Sequence, residues 1–233
     1  LKKYIMVLAT VFWAGAFIAG KFSVEEFPIM SLVFFRFLIS TLLIFPIMIK
    51  LDKDWKITRA DLPIFLKLGT IGIIGYHLLF FLCLKFTTAT NSSLIGATNP
   101  IITAILACII LKEKITKNHI ISIFLSICGV ILIFSNGSIE SFKNFSMNIG
   151  DIIMMIAVVC WAIYSIISKK AVEKYSPIKV TSYSFLVCTV IMFPFIFLEK
   201  PYVYLPQVSI NGWISVLYMA VFASVCGYLI QQI

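Results

Sequence analysis

Two tryptophans 148 residues apart, Trp13 and Trp161, stand mid-way along apolar runs, each with a second ring one helical turn on, Phe17 and Tyr164. A step of three or four residues puts such pairs on one helix face. The rings either pack between helices or wall an apolar route for a solute, and their recurrence favours the route. Tyr76 and His77 sit near the middle of a third run, where Gly72 and Gly75 permit close approach, and Tyr228 takes nearly the same place 151 residues beyond His77. A histidine inside a membrane either packs with a hydrogen bond or carries protons, and polar groups there face the bundle or a cavity. Arg36 is the one arginine within an apolar run. Its charge costs about 2.5–3.5 kcal/mol at a bilayer centre on insertion scales, less where it snorkels to the outer end; the functional alternative is a contact with a substrate carboxylate or a helix-end lock. Asn99-Pro100 interrupts the hydrogen bonding of a fourth run and frees carbonyls, which suits a plain kink or a cavity wall. Lys21 and Lys169 close equivalent runs. They read as interfacial anchors, with a gate or substrate role as the alternative.

Other chemistry has no residues to carry it. The six cysteines are spread one per apolar run without a CxxC, and the only histidines are His77 and His119. Disulfide frameworks and metal clusters need close, repeated spacing, so no metal and no cofactor is expected. All ten acidic residues fall in loops or at the ends of runs. His77 therefore lacks an intramembrane carboxylate partner, no catalytic residues are assigned, and a midplane carboxylate for proton or sodium coupling is missing. That leans towards a facilitator or exchanger, or towards coupling through groups other than carboxylates. Glu113, between Lys112 and Lys114, reads as an interfacial ion pair or cap.

The elements that must hold these residues are membrane helices. The 233 residues are 61% hydrophobic and 12% charged, with a mean hydropathy of +1.05, whereas a soluble domain carries about a quarter charged residues. About 20 apolar residues span the hydrocarbon core as a helix. The runs predict helices near 4–21, 30–49, 63–84, 92–111, 119–135, 149–168, 178–198 and 211–233. No loop is long enough for a soluble domain, and the first run leads into further spans rather than ending as a signal peptide. With the N-terminus inside, fourteen lysines and arginines fall on the cytoplasmic side and four on the other. This bias orients a multi-pass protein of the cell membrane with a cytoplasmic N-terminus, and it accounts for the net charge of +9 without nucleic acid.

The chain also repeats itself. At a shift of 148, positions 5 to 25 give ten identities in twenty-one, including Trp13/Trp161, Lys21/Lys169 and Glu25/Glu173, and Phe45-Pro46 matches Phe193-Pro194. Apolar bias alone does not place Trp, Lys and Glu so consistently. Five spans separate the copies, and five is odd, so they cross in opposite senses. Inverted repeats of this kind underlie alternating access in many secondary transporters.

Trp13, Gly15, Phe17 and Lys21, followed by Pro28 and Arg36, resemble the opening of an EamA-type domain of the drug/metabolite transporter superfamily. "TNPIITAILACIILKEKIT" resembles its fourth helix, and "SICGVILIF" around Gly129-Val130 its fifth. The resemblance covers essentially the whole chain. It implies an all-α membrane fold of ten helices in two inverted five-helix repeats, here 1–136 and an incomplete 149–233. About eight helices fall within this sequence, which is expected to be part of the ten-helix protein. It also implies a carrier, in the exporting direction, of small organic metabolites, amino acids or drugs, with a small-molecule substrate and the lipid bilayer as partners and homo-oligomerisation left open. The alternatives are a membrane enzyme, a non-transporting scaffold, or a carrier of nucleotide sugars or lipid intermediates.

Overall fold

The structure, a computed structural model, describes residues 2–112 and 148–231 and isolated positions between 117 and 128. Among the described residues it holds seven helices long and apolar enough to cross a membrane. These are α1 (Lys2–Glu26), α2 (Ile29–Leu51), α3 (Arg59–Phe86), α4 (Ala89–Leu111), α5 (Ile149–Ala171), α6 (Pro177–Glu199) and α7 (Ile210–Gln231). No strand occurs among the described residues. The molecule is an all-α membrane protein. The seven helices coincide with seven of the eight expected spans. Of the remaining one, 119–135, only isolated positions up to 128 are described, and Glu113, His119 and Gly129-Val130 lie outside the described residues.

Short polar signals start and stop these helices. Pro28 is extended (φ −59°, ψ 150°) and separates α1 from α2, because proline has no amide hydrogen for a continuing helix. Thr88, Asn148, Ser176 and Ser209 each accept an amide hydrogen bond from the first turn of α4, α5, α6 and α7. Each such cap is worth about 1 kcal/mol. α4 is broken at Ala97 and Thr98, and Pro100 opens its second half, Asn99–Leu111, in the first helical turn. The expected interruption at Asn99-Pro100 is therefore a real joint in the helix.

Helices that share a sequence pattern pack in matching ways. α1 lies against α7, α5 against α3, and α2 against α6. α2 and α6 each carry a proline inside, Pro46 and Pro194. α3 and α7 each contain an eight-residue stretch with i→i+5 hydrogen bonding, Leu68–Gly75 and Met219–Cys226. Gly72 lets α5 approach α3: a methyl group there would strike Cγ and Cβ of Tyr164 at 2.7 and 2.8 Å. The shared interior is apolar and aromatic, with Phe37, Phe81, Phe185 and Tyr228 fully enclosed. Val11, Leu42, Ile109 and Val190 stay exposed on the outer faces. Helices apolar on both faces suit a lipid surround.

Charged ties cross between these helices at both ends of the bundle. At one end the Glu199 carboxylate accepts from the amides of Met30 (3.0 Å) and Ser31 (2.7 Å) and from the Ser31 hydroxyl (2.6 Å), capping α2. At the same end Glu26 accepts from the amide and hydroxyl of Ser209, both at 2.7 Å, at the start of α7. At the other end the Ser176 hydroxyl, which caps α6, donates to Asp52. There the Lys174 ammonium lies 2.9 Å from Asp61, which also receives the Tyr175 hydroxyl. Lys179 donates to the carbonyl of Asp54.

Candidate functional site

The residues singled out from the sequence mostly converge on one chamber. It has a volume of about 310 Å³ and is lined by Trp13, Phe17, Arg36, Tyr76, His77, Asn99, Trp161 and Tyr228 together with Thr10 and Ser93. α1 and α5 bring the two tryptophans edge to face, with ring centroids 5.7 Å apart and planes at 79°. The Trp13 indole N–H donates to the carbonyl of Ala223 at 3.0 Å, inside the widened stretch of α7. Gly227 leaves it room, since a methyl group there would lie 2.6 Å from Trp13 Nε1. Trp161 meets Tyr76 at 4.8 Å and Tyr228 at 5.3 Å. Tyr76 stacks on Phe80 at 5.8 Å, and Phe80 meets Phe17 edge to face at 5.1 Å. The wall is thus a continuous set of rings from four helices.

Arg36, His77 and Asn99 are among the polar groups that interrupt it. Arg36 is 3% exposed, and its Nε donates to the Ser224 hydroxyl of α7 at 2.9 Å. Its guanidinium lies over the rings of Phe37 (5.4 Å) and Phe81 (5.9 Å). The side chain is held inside the bundle, so it does not snorkel to the outer end. His77 Nδ1 lies 2.8 Å from the carbonyl of Ile73. A carbonyl only accepts, so Nδ1 carries its proton, and the ring packs against Phe37 at 4.7 Å. Asn99 accepts from the Thr103 hydroxyl at 3.1 Å, at the joint in α4.

A second chamber, of about 690 Å³, continues from the first and shares Thr10, Trp13, Gly96, Ala97, Asn99 and Trp161 with it. It takes in Pro100 and reaches Leu111, Lys169 and Gln231, towards the end that carries Asp61 and Lys174. In the opposite direction α1 and α3 close together. The Lys21 ammonium donates to the carbonyls of Leu84 (2.6 Å) and Thr87 (3.2 Å) at the end of α3, where unpaired helix carbonyls favour a cation. The equivalent lysines thus stand in unlike places, Lys21 on the carbonyls that end α3 and Lys169 in the lining of the second chamber.

Tyr164 departs from expectation. It is 1% exposed and lines neither chamber, packing behind Trp161 and Tyr228 at 5.5 and 5.7 Å. Its offset from Trp161 is three residues where Phe17 follows Trp13 by four, which turns its ring towards α3. Ser224, Ser93 and Thr10 were missed by the sequence reading. Thr10 lies one turn before Trp13 and could have been found by helical spacing. Ser224 meets Arg36 across 188 residues, and nothing local signals that pairing. Among the described residues no cluster of histidine, cysteine or carboxylate side chains could hold a metal ion.

The EamA-like transporter family model matches residues 3–135 and 148–233. The uncharacterized transporter YyaM of Bacillus subtilis (strain 168) is 36% identical over 232 residues, covering 98% of this chain and 76% of the relative. An uncharacterized transporter of Archaeoglobus fulgidus is 29% identical over 234 residues, covering 97% and 77%. A protein crystal structure superposes with a TM-score of 0.71 at 15% identity, over 99% of this chain and 77% of the other. At that identity the likeness concerns the fold alone.

Proposed function

This chain belongs to the EamA-like transporter family, and from that premise we propose that it is a secondary carrier that exports small organic metabolites by alternating access through the Trp13–Trp161 chamber. One observation carries the reading. Trp13 and Trp161 are equivalents under the 148-residue shift, and they touch across the chamber. In a two-fold arrangement only residues near the axis meet their own equivalents, so the chamber sits where the two halves of an inverted repeat would rock against each other. The reciprocal packing of α1 on α7 and α5 on α3 supports the same reading.

In this mechanism the ties at the two ends act as gates. Lys21 on the carbonyls of Leu84 and Thr87 closes the Glu26 end, while the second chamber leads to Lys169. The basic bias of the sequence places that Lys169 end in the cytoplasm, so the chamber faces inward in the cell membrane. Cargo enters past Lys169, lies among the rings, and leaves when the Glu26 end opens.

The test is uptake of a labelled metabolite panel by proteoliposomes holding the whole protein. Saturable flux that Trp13→Ala abolishes without loss of membrane insertion supports the carrier. Absence of flux for every compound by a folded protein moves the weight to a membrane enzyme or a scaffold.

A further inference from the structure

Two buried polar groups of the chamber, Arg36 and Tyr228, have donors that the described residues leave largely unmatched. Arg36 offers five N–H groups. Beyond its bond to Ser224, the described residues give it as acceptor the Met219 sulfur at 3.9 Å, a weak one. The ion pairs found among the described residues, Lys174–Asp61 and Lys179–Asp54, do not include it. Tyr228 is 1% exposed, and its buried hydroxyl has no hydrogen-bond partner among the described residues. Both residues line the same 310 Å³ chamber. A cation buried to 3% exposure is costly without an opposite charge, and an unmet buried hydroxyl adds to that cost.

The rest of the chamber says what the missing partner looks like. Among the described residues no carboxylate lines it, so a cationic cargo would find no opposite charge from them. Trp13, Trp161, Tyr76 and Phe80 offer ring faces and edges instead, and the volume suits a body of about one ring. A single guanidinium matches one unit of negative charge, and its planar fork fits the two oxygens of a carboxylate.

Resting on the carrier reading above, we infer that the cargo is an organic carboxylate with an apolar body, its carboxylate paired with Arg36 and hydrogen-bonded by Tyr228. The ring-lined wall holds the body, and Ser224 holds the guanidinium in place by its bond to Nε.

The experiment measures saturable thermal stabilisation of the whole protein in detergent by five related probes: 3-phenylpropionate, phenyl phosphate, 3-phenylpropan-1-ol, 3-phenylpropylamine and phenylalanine. The carboxylate is expected to bind at least about tenfold more tightly than the alcohol or the amine, the scale of a charge-assisted bond. Arg36→Gln abolishes that preference, Arg36→Lys retains part of it, and Tyr228→Phe weakens carboxylate binding alone. Should Arg36→Gln fail to fold, the last two variants decide. Equal binding of alcohol and carboxylate, tighter binding of phenyl phosphate, or Arg36→Lys and Tyr228→Phe indistinguishable from the unaltered protein would overturn the assignment. Uptake assays on the same panel separate it from the carrier reading. Flux confined to neutral or cationic compounds sinks the carboxylate and leaves the carrier, whereas carboxylate binding without any flux leaves the site and sinks the carrier.

Discussion

Thr41 and Thr189 share a hydrogen bond of 3.1 Å between their hydroxyls, in the middle of α2 and α6 and 148 residues apart. Thr189 gives its one hydroxyl proton to the carbonyl of Phe185 at 2.9 Å, so Thr41 is the donor between the two. Both are buried. Thr41→Val and Thr189→Val are each expected to cost about 0.5–1.5 kcal/mol, and the double variant less than the sum. A double-mutant cycle on unfolding in detergent reads the coupling, and strictly additive effects would show that the bond contributes nothing.

Glu199 holds three donors at the start of α2. Glu199→Ala leaves the amides of Met30 and Ser31 without it, at a cost of about 1–3 kcal/mol. Because that tie joins α6 to α2 only at the Glu26 end, its loss should favour opening there. Ser93→Cys, which lines the chamber, should then react up to about tenfold faster with an impermeant thiol reagent applied from that side. An unchanged rate would mean that the tie is not a gate.

Gly72 and Gly75 are one turn apart on α3 and should respond differently to alanine. At Gly72 the added methyl meets the Tyr164 ring root at 2.7 Å, where no flexible end can yield. At Gly75 its nearest neighbours are Thr70 O at 3.4 Å and Cys160 Sγ at 3.7 Å, ordinary contacts. Gly72→Ala is expected to lose about 1–3 kcal/mol by forcing α5 away, and Gly75→Ala to be neutral or gain up to about 1 kcal/mol from helix propensity. Thermal unfolding of the two purified variants compares them directly.

At the opposite end from Glu199, the Asp61 carboxylate and the Tyr175 hydroxyl beside Lys174 raise its pKa above the ordinary lysine range. A raised lysine contributes stability fully below its unfolded value and loses it as pH rises through the folded one. The tie should therefore be constant through neutral pH and weaken only in strong alkali. Lys174 is largely exposed, so Lys174→Met should have a small effect that salt erases. Asp61→Asn should do more, because Asp61 also accepts from the amide and hydroxyl of Thr58 at 2.9 and 2.8 Å. Melting curves between neutral and alkaline pH, with and without salt, check both.

Much of this was legible in the sequence, for physical reasons that have limits. Twenty-residue apolar runs announce membrane helices because lipid leaves few other choices for the backbone. Trp13 and Trp161 could be singled out because tryptophan is rare enough that its recurrence with Lys21 and Lys169 is informative. Arg36 was visible as an anomaly, but its direction was not, since snorkelling and burial start from the same residue. Only the contact with Ser224 decides between them. Tyr164 looked like a twin of Phe17, and the one-residue difference in spacing was enough to carry it behind the wall. The widened stretches Leu68–Gly75 and Met219–Cys226 have no sequence signature beyond their small residues.

Those two stretches bear on how a long helix could change shape without breaking. A segment bonded i→i+5 is wider and shorter than an α-helix of the same residues. Rewinding it to i→i+4 would lengthen the rod and swivel everything beyond it about its axis. In α7 the part beyond carries Tyr228, and the stretch itself carries the Ala223 carbonyl on Trp13 and the Ser224 hydroxyl on Arg36. In α3 the part beyond carries Tyr76, His77 and Phe80. The slack stored in these two coils lies directly beneath the chamber wall, so one local change of winding would move rings and guanidinium contacts in step.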